Sequence, residues 1–175
     1  MSELQQLLDK QALYDIACSY CRGVDRMDFE LIDSIYHEQA IHDHGAMFCG
    51  VKADFINWLK QSLPGITTQH FVGNALFKLD DAASDRAQGE IYTINYHVMP
   101  GNTEGQGNLD YVAGGRYLDE YIRSDGTWKI WRRSRVLDWT HERASSATAV
   151  GAGVKTGAEM PNDPSYQLLD LFTKN

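Results

Sequence analysis

Four side chains in the 175-residue sequence, Tyr20, Asp25, His70 and Arg133, could hold or move a proton or charge beside apolar neighbours. Each is costly to bury unless a partner or a ligand uses it. His70 stands near the start of TTQHFVGNALF, a β-like run, and Asp25 follows the N-terminal amphipathic stretch in CRGVDRMD. An imidazole held by a carboxylate is a general base: the acceptor fixes its tautomer and stabilises the imidazolium formed when the ring takes a proton. Taken singly, His70 reads as a core histidine bonded to backbone and Asp25 as a helix-end cap. Together they read as catalytic machinery. Arg133 sits in the run Arg132, Arg133, Arg135.

Other chemistry-bearing residues carry weaker signals. His42 and His44 lie two apart on a short β-like run and so share one face. A metal pair would want a third ligand, so pocket lining is the expected role and no metal is expected. Cys18, Cys21 and Cys49 are an odd number, and the first two form C-x-x-C near the end of a helical pattern. A redox motif would sit at a helix start after a strand, so buried or half-buried thiols are expected there instead.

The elements that must position these residues follow from periodicity. Leu4, Leu8, Leu13, Ile16, Ala17 and Tyr20 recur at three- and four-residue steps, the spacing of one helix face, which Gly23 is expected to end. Asp28 is placed to cap a short helix through Tyr36, and a third helix is expected from Ala53 to Leu63, ended by Pro64-Gly65. Beyond it the period falls to two. Strands are expected over Thr67 to Leu79, Ala87 to Val98, Leu109 to Arg123 and Thr127 to Thr140, with a short one from Ala40 to His44 between the helices. Helices first and strands after predict an α+β domain, a curved antiparallel sheet folded over N-terminal helices to enclose a cone. Residues 1–143 make that domain. Residues 144–175, rich at their start in Ala, Ser, Thr and Gly, read as an irregular C-terminal arm placed to close the pocket or contact a neighbouring subunit.

With the elements in this order, several motifs resemble the SnoaL-like branch of the nuclear transport factor two-like superfamily, the cystatin-like α+β cone. They are the helix end carrying Tyr20, Gly23, Val24 and Asp25; Ala40-Ile41-His42-Asp43-His44-Gly45; His70-x-x-x-Asn74; and Tyr117-x-x-Glu120-Tyr121 followed by Asp125-Gly126-x-Trp128-Lys129-Ile130. The resemblance covers about Leu4 to His141. The branch includes scytalone dehydratase, hexachlorocyclohexane dehydrochlorinase and bile-acid 7α-dehydratase. What it implies is a cofactor-independent lyase, dehydratase-like, acting on a small cyclic or polycyclic organic substrate. In that pattern His70 removes a proton from carbon, Asp25 orients it, and Tyr20, matching a tyrosine five residues before the aspartate in the bile-acid enzyme, protonates or polarises a substrate oxygen. The family register turns Thr68, Ile91, Thr93, Asn95, Tyr111, Ala113, Gly115, Trp131, Arg133 and Arg135 inward, with Tyr92, Ile94 and Tyr96 outward. Asn95 departs from the bile-acid pattern, which has an aspartate there. Arg133 is expected to stabilise developing negative charge, or else to form an ion pair at the surface or a subunit interface. Small residues at Ala113 and Gly115 suggest a roomy cavity, though Gly114-Gly115 equally suits a strand bend. The same fold carries steroid isomerases, polyketide cyclases and non-catalytic modules such as the dioxygenase small subunit, and these alternatives stay open. Relatives of the dehydratase kind imply a homo-oligomer, trimeric in that branch and dimeric in other cone proteins.

Composition sets the outer limits. Against 24 Asp+Glu there are 16 Lys+Arg, a net charge of −8, which repels nucleic-acid phosphates and anionic membranes. The N-terminal MSELQQLLDKQ does not read as a secretory signal, and no run of 18 apolar residues exists, so a cytoplasmic protein with no membrane partner is expected. Within this acidic molecule the expected pocket gathers His42, His44, His70 and Arg133 around Asp25, a locally basic site suited to a neutral or anionic organic substrate, and the expected partner is a small hydrophobic molecule.

Overall fold

The computed structural model describes residues 2–80, 83, 85–101, 107–147 and 150–169. Helix α1 spans Glu3–Asp25 and opens on Ser2, whose hydroxyl accepts from the Gln5 amide. It runs past Gly23, contrary to the expected stop. That glycine serves packing instead: a Cβ there would lie 2.6 Å from Ile32 Cγ1. The helix ends in a Schellman motif, with Met27 in the left-handed region (φ 51°), Met27 N donating to Val24 O and Asp28 N to Gly23 O. Asp25 is thereby held in the last turn. Asp28 then caps α2, Phe29–Ile35, accepting from the Leu31 amide at 2.9 Å.

Strand β1, Tyr36–Asp43, starts four residues before the expected Ala40, and β2, Cys49–Val51, follows a 3-10 turn that periodicity did not signal. Helix α3 covers Lys52–Ser62. The long strands are β3 Thr67–Leu79, β4 Arg86–Met99, β5 Leu109–Ser124 and β6 Thr127–Ala144. Their order in the sheet is β2-β1-β6-β5-β4-β3. All neighbours pair antiparallel except β1 with β6, which run parallel, so the expected antiparallel sheet is mixed. The exception follows from connectivity, because β1 reaches β6 through most of the fold rather than through a hairpin.

Two bulges bend β6 against β5, at Gly114/Gly115 and at Glu120/Tyr121, and a third irregularity lies in β3 between Val72 and Ala75. Such insertions curl the sheet around the helices. The core between the layers joins Leu13, Ala17 and Tyr20 of α1 with Ile32, Phe55 and Leu59, and with Ile91, Tyr117, Tyr121 and Ile130 of the sheet, all buried. A buried Leu or Ile of this kind contributes about 1.5–3 kcal/mol. Tyr92 and Ile94 turn outward as expected and are exposed, alongside Phe71, Leu118 and Trp139. Among the described residues no helix is long and apolar enough to cross a membrane.

The described part of the C-terminal arm lies along the end of α1. The Met160 amide donates to Arg26 O at 2.7 Å, Asp163 pairs with Arg26 at 3.4 Å, and the Tyr166 hydroxyl donates to Asp28 at 2.5 Å. Its short helix α4 is Pro164–Leu168, and residues 148, 149 and 170–175 of the arm lie outside the described set.

Candidate active site

The end of α1 meets the start of β3, and there a carboxylate faces an imidazole. Thr68 and His70 are two apart on β3 and point to one side. Asp25 Oδ1 accepts from Thr68 Oγ1 at 2.8 Å and from His70 Nδ1 at 2.6 Å, while Oδ2 accepts from the His70 amide at 2.9 Å. Burial pushes the Asp25 pKa up, but the His70 and Thr68 hydrogen bonds outweigh it and hold the carboxyl below its ordinary value. With Nδ1–H committed to Asp25, the nitrogen His70 can offer to a ligand is Nε2, an acceptor in the neutral ring.

His70 opens on a cavity of about 350 Å³. Met47, Trp58, Leu59, Leu63, Ile66 and Met99 form its apolar wall, and Tyr20, His44, Asn95, His97, Tyr111 and Tyr117 its polar one, with Arg135 and Glu142 also in the lining. Asn95 stands opposite His70 in the β3–β4 register, its Nδ2 3.5 Å from the Tyr117 hydroxyl. Asn95 Oδ1 is buried with no partner among the described residues.

The structure separates the sequence-derived residues into layers. His70, Tyr20, His44, Asn95 and Tyr111 line the cavity, and Asp25 and Thr68 stand behind His70. His42 does not line it. That ring is fully buried, stacked on Phe55 with centroids 3.5 Å apart, and sits behind His44 with His42 Nε2 2.7 Å from His44 Nδ1. On its other side His42 Nδ1 meets the Tyr36 hydroxyl at 2.8 Å. Ile91 and Thr93 face inward and are buried, but in the packed part of the cone away from the cavity.

Trp131 and Arg133 depart from expectation for one reason. Tyr121 pairs with Ile130 and Glu120 with Arg132, so Trp131 is the extra residue of a bulge. Ile130 and Arg133 therefore both turn inward, whereas Trp131 turns away to meet His37 (centroids 4.9 Å) and the Arg86 guanidinium (5.6 Å). Arg133 is inward but not available to a substrate. Its Nε and Nη2 donate to the two oxygens of Asp119 at 2.7 and 2.6 Å, with both side chains fully buried. Its guanidinium lies between the rings of Tyr20 (4.3 Å) and Tyr117 (4.4 Å). The arginine that lines the cavity is Arg135, the next inward residue of β6. Gly114 and Gly115 mark the strand bend rather than empty space: a Cβ would lie 2.2 Å from Trp139 at one and 2.1 Å from Val136 O at the other. Of the helix thiols Cys21 is buried and Cys18 exposed.

The electrostatics also differ from the expected basic pocket. Burial, with help from Arg135, pushes His44 down to about 3, and burial with His70 pushes His97 down to about 4. Burial also holds His42 well below the ordinary histidine value. These rings are neutral at pH 7, and Arg133 is neutralised by Asp119. Tyr20 is pushed up by burial, so its phenol keeps its proton. Sequence reasoning passed over His97, whose ring meets His70 edge-on at 5.5 Å. One more step of the alternation that turned Asn95 inward would have found it. Among the described residues no three His, Cys, Asp or Glu side chains are arranged to hold a metal ion.

Comparison with known proteins adds the fold's relatives. A family model described as SnoaL-like domain matches residues 5–134. The chain is similar to the crystal structure of a type 2 hexachlorocyclohexane dehydrochlorinase, LinA, at 19% identity over 87% of this chain and 100% of that one, with a TM-score of 0.72. A type 3 LinA from Novosphingobium barchaimii LL02 is 20% identical over 86% and 100%, with a TM-score of 0.71. A candidate scytalone dehydratase from Novosphingobium aromaticivorans DSM 12444 is 19% identical over 81% and 92%, at 0.67. A search of curated proteins gives no match.

Proposed function

This chain belongs to the SnoaL-like family, and on that premise we propose that it is a cofactor-independent carbon–oxygen lyase, a dehydratase, acting on a small cyclic carbonyl compound. The observation that carries this reading is the Asp25–His70 pair at 2.6 Å beside a 350 Å³ cavity. A module that only binds a ligand has no need of a carboxylate-oriented imidazole whose second nitrogen has no partner among the described residues. Nor is a charge wasted at the site. Asp25 stays ionised behind the ring, so the imidazolium formed when His70 takes a proton is paired from the moment it appears.

In this reading His70 Nε2 removes a proton from the carbon beside a carbonyl, and the leaving hydroxyl on the next carbon departs as water. On the same reading Tyr20, a lining phenol that burial keeps protonated, hydrogen-bonds the departing oxygen, and the proton that makes it water returns from the His70 imidazolium. Arg133 is given no contact with substrate. Clamped by Asp119 between Tyr20 and Tyr117, it holds those two rings in place. The apolar wall of Trp58, Leu59, Leu63 and Ile66 suits a flat hydrocarbon skeleton.

The test is turnover of cyclic β-hydroxy ketones of one to three fused rings, followed by the ultraviolet absorbance of the conjugated enone product. Wild-type protein is expected to form enone, and His70→Ala to lose about 10²- to 10⁴-fold of that rate, the usual worth of a positioned base. Equal rates in the two proteins would remove His70 from the mechanism.

A further inference from the structure

On β1, far from β3 in the order of the sheet, Tyr36 and His42 form with His44, just past the strand, a chain that ends at the cavity lining. The Tyr36 hydroxyl lies 2.8 Å from His42 Nδ1, and His42 Nε2 lies 2.7 Å from His44 Nδ1. Tyr36 and His42 are buried, and His42 is locked in orientation by its stack on Phe55. Only His44 reaches the cavity. Its Nδ1 is occupied by His42, so the nitrogen it can offer to a ligand is Nε2.

The direction of the hydrogens along this chain follows from accounting for one proton. Among the described residues the Tyr36 hydroxyl has a single hydrogen-bond partner, His42 Nδ1. If the hydroxyl accepted from that nitrogen, its own O–H would be buried with nothing to receive it. If it donates, only spare lone pairs go unused, which costs far less than an orphaned donor. The phenol therefore donates to His42 Nδ1. A neutral imidazole that accepts at Nδ1 carries its hydrogen on Nε2, so His42 donates to His44 Nδ1. By the same rule His44 carries its hydrogen on Nε2. A donor set at Tyr36 reappears two rings away as an N–H donor at the cavity.

We propose that His44 is the hydrogen-bond donor for the substrate's carbonyl oxygen, its polarity fixed by the buried chain from Tyr36 through His42. The role rests on the reading above, in which His70 takes a proton from the carbon beside that carbonyl. As the C–H proton passes to His70 Nε2, the C–H electron pair moves into the carbonyl to give an enolate. The negative charge collects on its oxygen, and His44 Nε2–H meets it. No proton leaves His44, so the buried phenol never has to ionise. A neutral N–H donor fixed in this way selects a ketone or thioester oxygen over a carbon–halogen bond as the acidifying group of the substrate.

Two measurements on the full chain decide the matter. Nitrogen-15 labelling of the histidines and two-bond proton–nitrogen correlation report which ring nitrogen carries hydrogen. His44 and His42 are expected to be protonated on Nε2 and His70 on Nδ1, and a His44 protonated on Nδ1 overturns the inference. The second measurement uses 2-naphthol, a stable planar analogue of an enol, titrated by its fluorescence. His44→Leu is expected to weaken its binding about tenfold, the effect of losing one hydrogen bond. His44→Gln, which keeps an N–H donor, is expected to recover part of that loss, in the wild-type background and in His70→Ala alike. Wild-type protein that does not bind 2-naphthol, or His44→Leu that binds it equally, overturns the inference. A protein that passes both tests yet eliminates water from none of the β-hydroxy ketones overturns the lyase reading alone, leaving His44 as donor to a carbonyl that is held without reacting.

Discussion

Two of the imidazoles that line the cavity come from strands near opposite edges of the sheet, and what stands behind each makes them different reagents. His70, on β3, is backed directly by the ionised Asp25 at the end of α1. His44, at the end of β1, is backed by a second neutral imidazole and, beyond it, by a phenol. The first arrangement leaves a lone pair in the cavity and stabilises the cation that forms when it is used. The second presents an N–H and resists protonation, since burial has already pushed the ring down to about 3. The role of a histidine is thus set one or two residues behind it. A charged partner makes a base, and a neutral chain that begins with a hydroxyl makes a donor.

The comparison can be broken at its charged end first. Asp25→Asn keeps a polar partner near His70 Nδ1 but removes the charge that stabilises the imidazolium, so His70 comes to resemble His44. Enone formation is expected to fall about 10²- to 10⁴-fold with 2-naphthol binding little changed, measured as kcat against Kd. The next largest effect is on the scaffold. Arg133→Ala leaves Asp119 charged and unpaired in the core and removes the guanidinium between Tyr20 and Tyr117. A loss of about 3–5 kcal/mol in denaturant unfolding is expected.

The effect that is smallest per step is spread over pH and sharpens the contrast. His44 and His97 are neutral in the folded chain down to about 3 and about 4, whereas in the unfolded chain both take protons below the ordinary value of 6.5. The unfolded state then binds more protons, and stability falls as pH drops from about 6.5 toward those values. The slope is about 1.4 kcal/mol per pH unit for each such histidine. Asp25, whose carboxyl is held low, adds to the loss in the same direction as it becomes protonated. Denaturation midpoints between pH 7 and pH 4 check this, and His97→Phe should flatten the curve.

The dyad was legible in the sequence because both members sit at element ends, where position is set by local rules. A helix end is fixed within a residue or two, and β3 begins at Thr67 as its periodicity indicates. The inward set of β4 was legible for the same reason, since Ile91, Thr93 and Asn95 lie on an uninterrupted stretch of strand. Beyond a bulge, alternation fails. One extra residue at Trp131 reversed that side chain's face, and no turn residue announces it. The burial of Arg133 against Asp119 was illegible because it depends on the pairing of β5 with β6, a long-range fact. Gly23 misled because a glycine demanded by helix packing looks the same in sequence as one that ends a helix. The parallel pairing of β1 with β6 likewise leaves no mark in either strand.

Whether His70 is a base acting on carbon is decided by isotope exchange without any leaving group. In deuterium oxide, 2-tetralone exchanges the hydrogens of the carbons beside its carbonyl, and mass spectrometry follows the rate above the buffer background. Accelerated exchange is expected from wild-type protein, with a loss of about 10²-fold or more in His70→Ala of equal folded fraction. Exchange by His70→Ala at the wild-type rate, or none by wild-type protein above buffer, would contradict it.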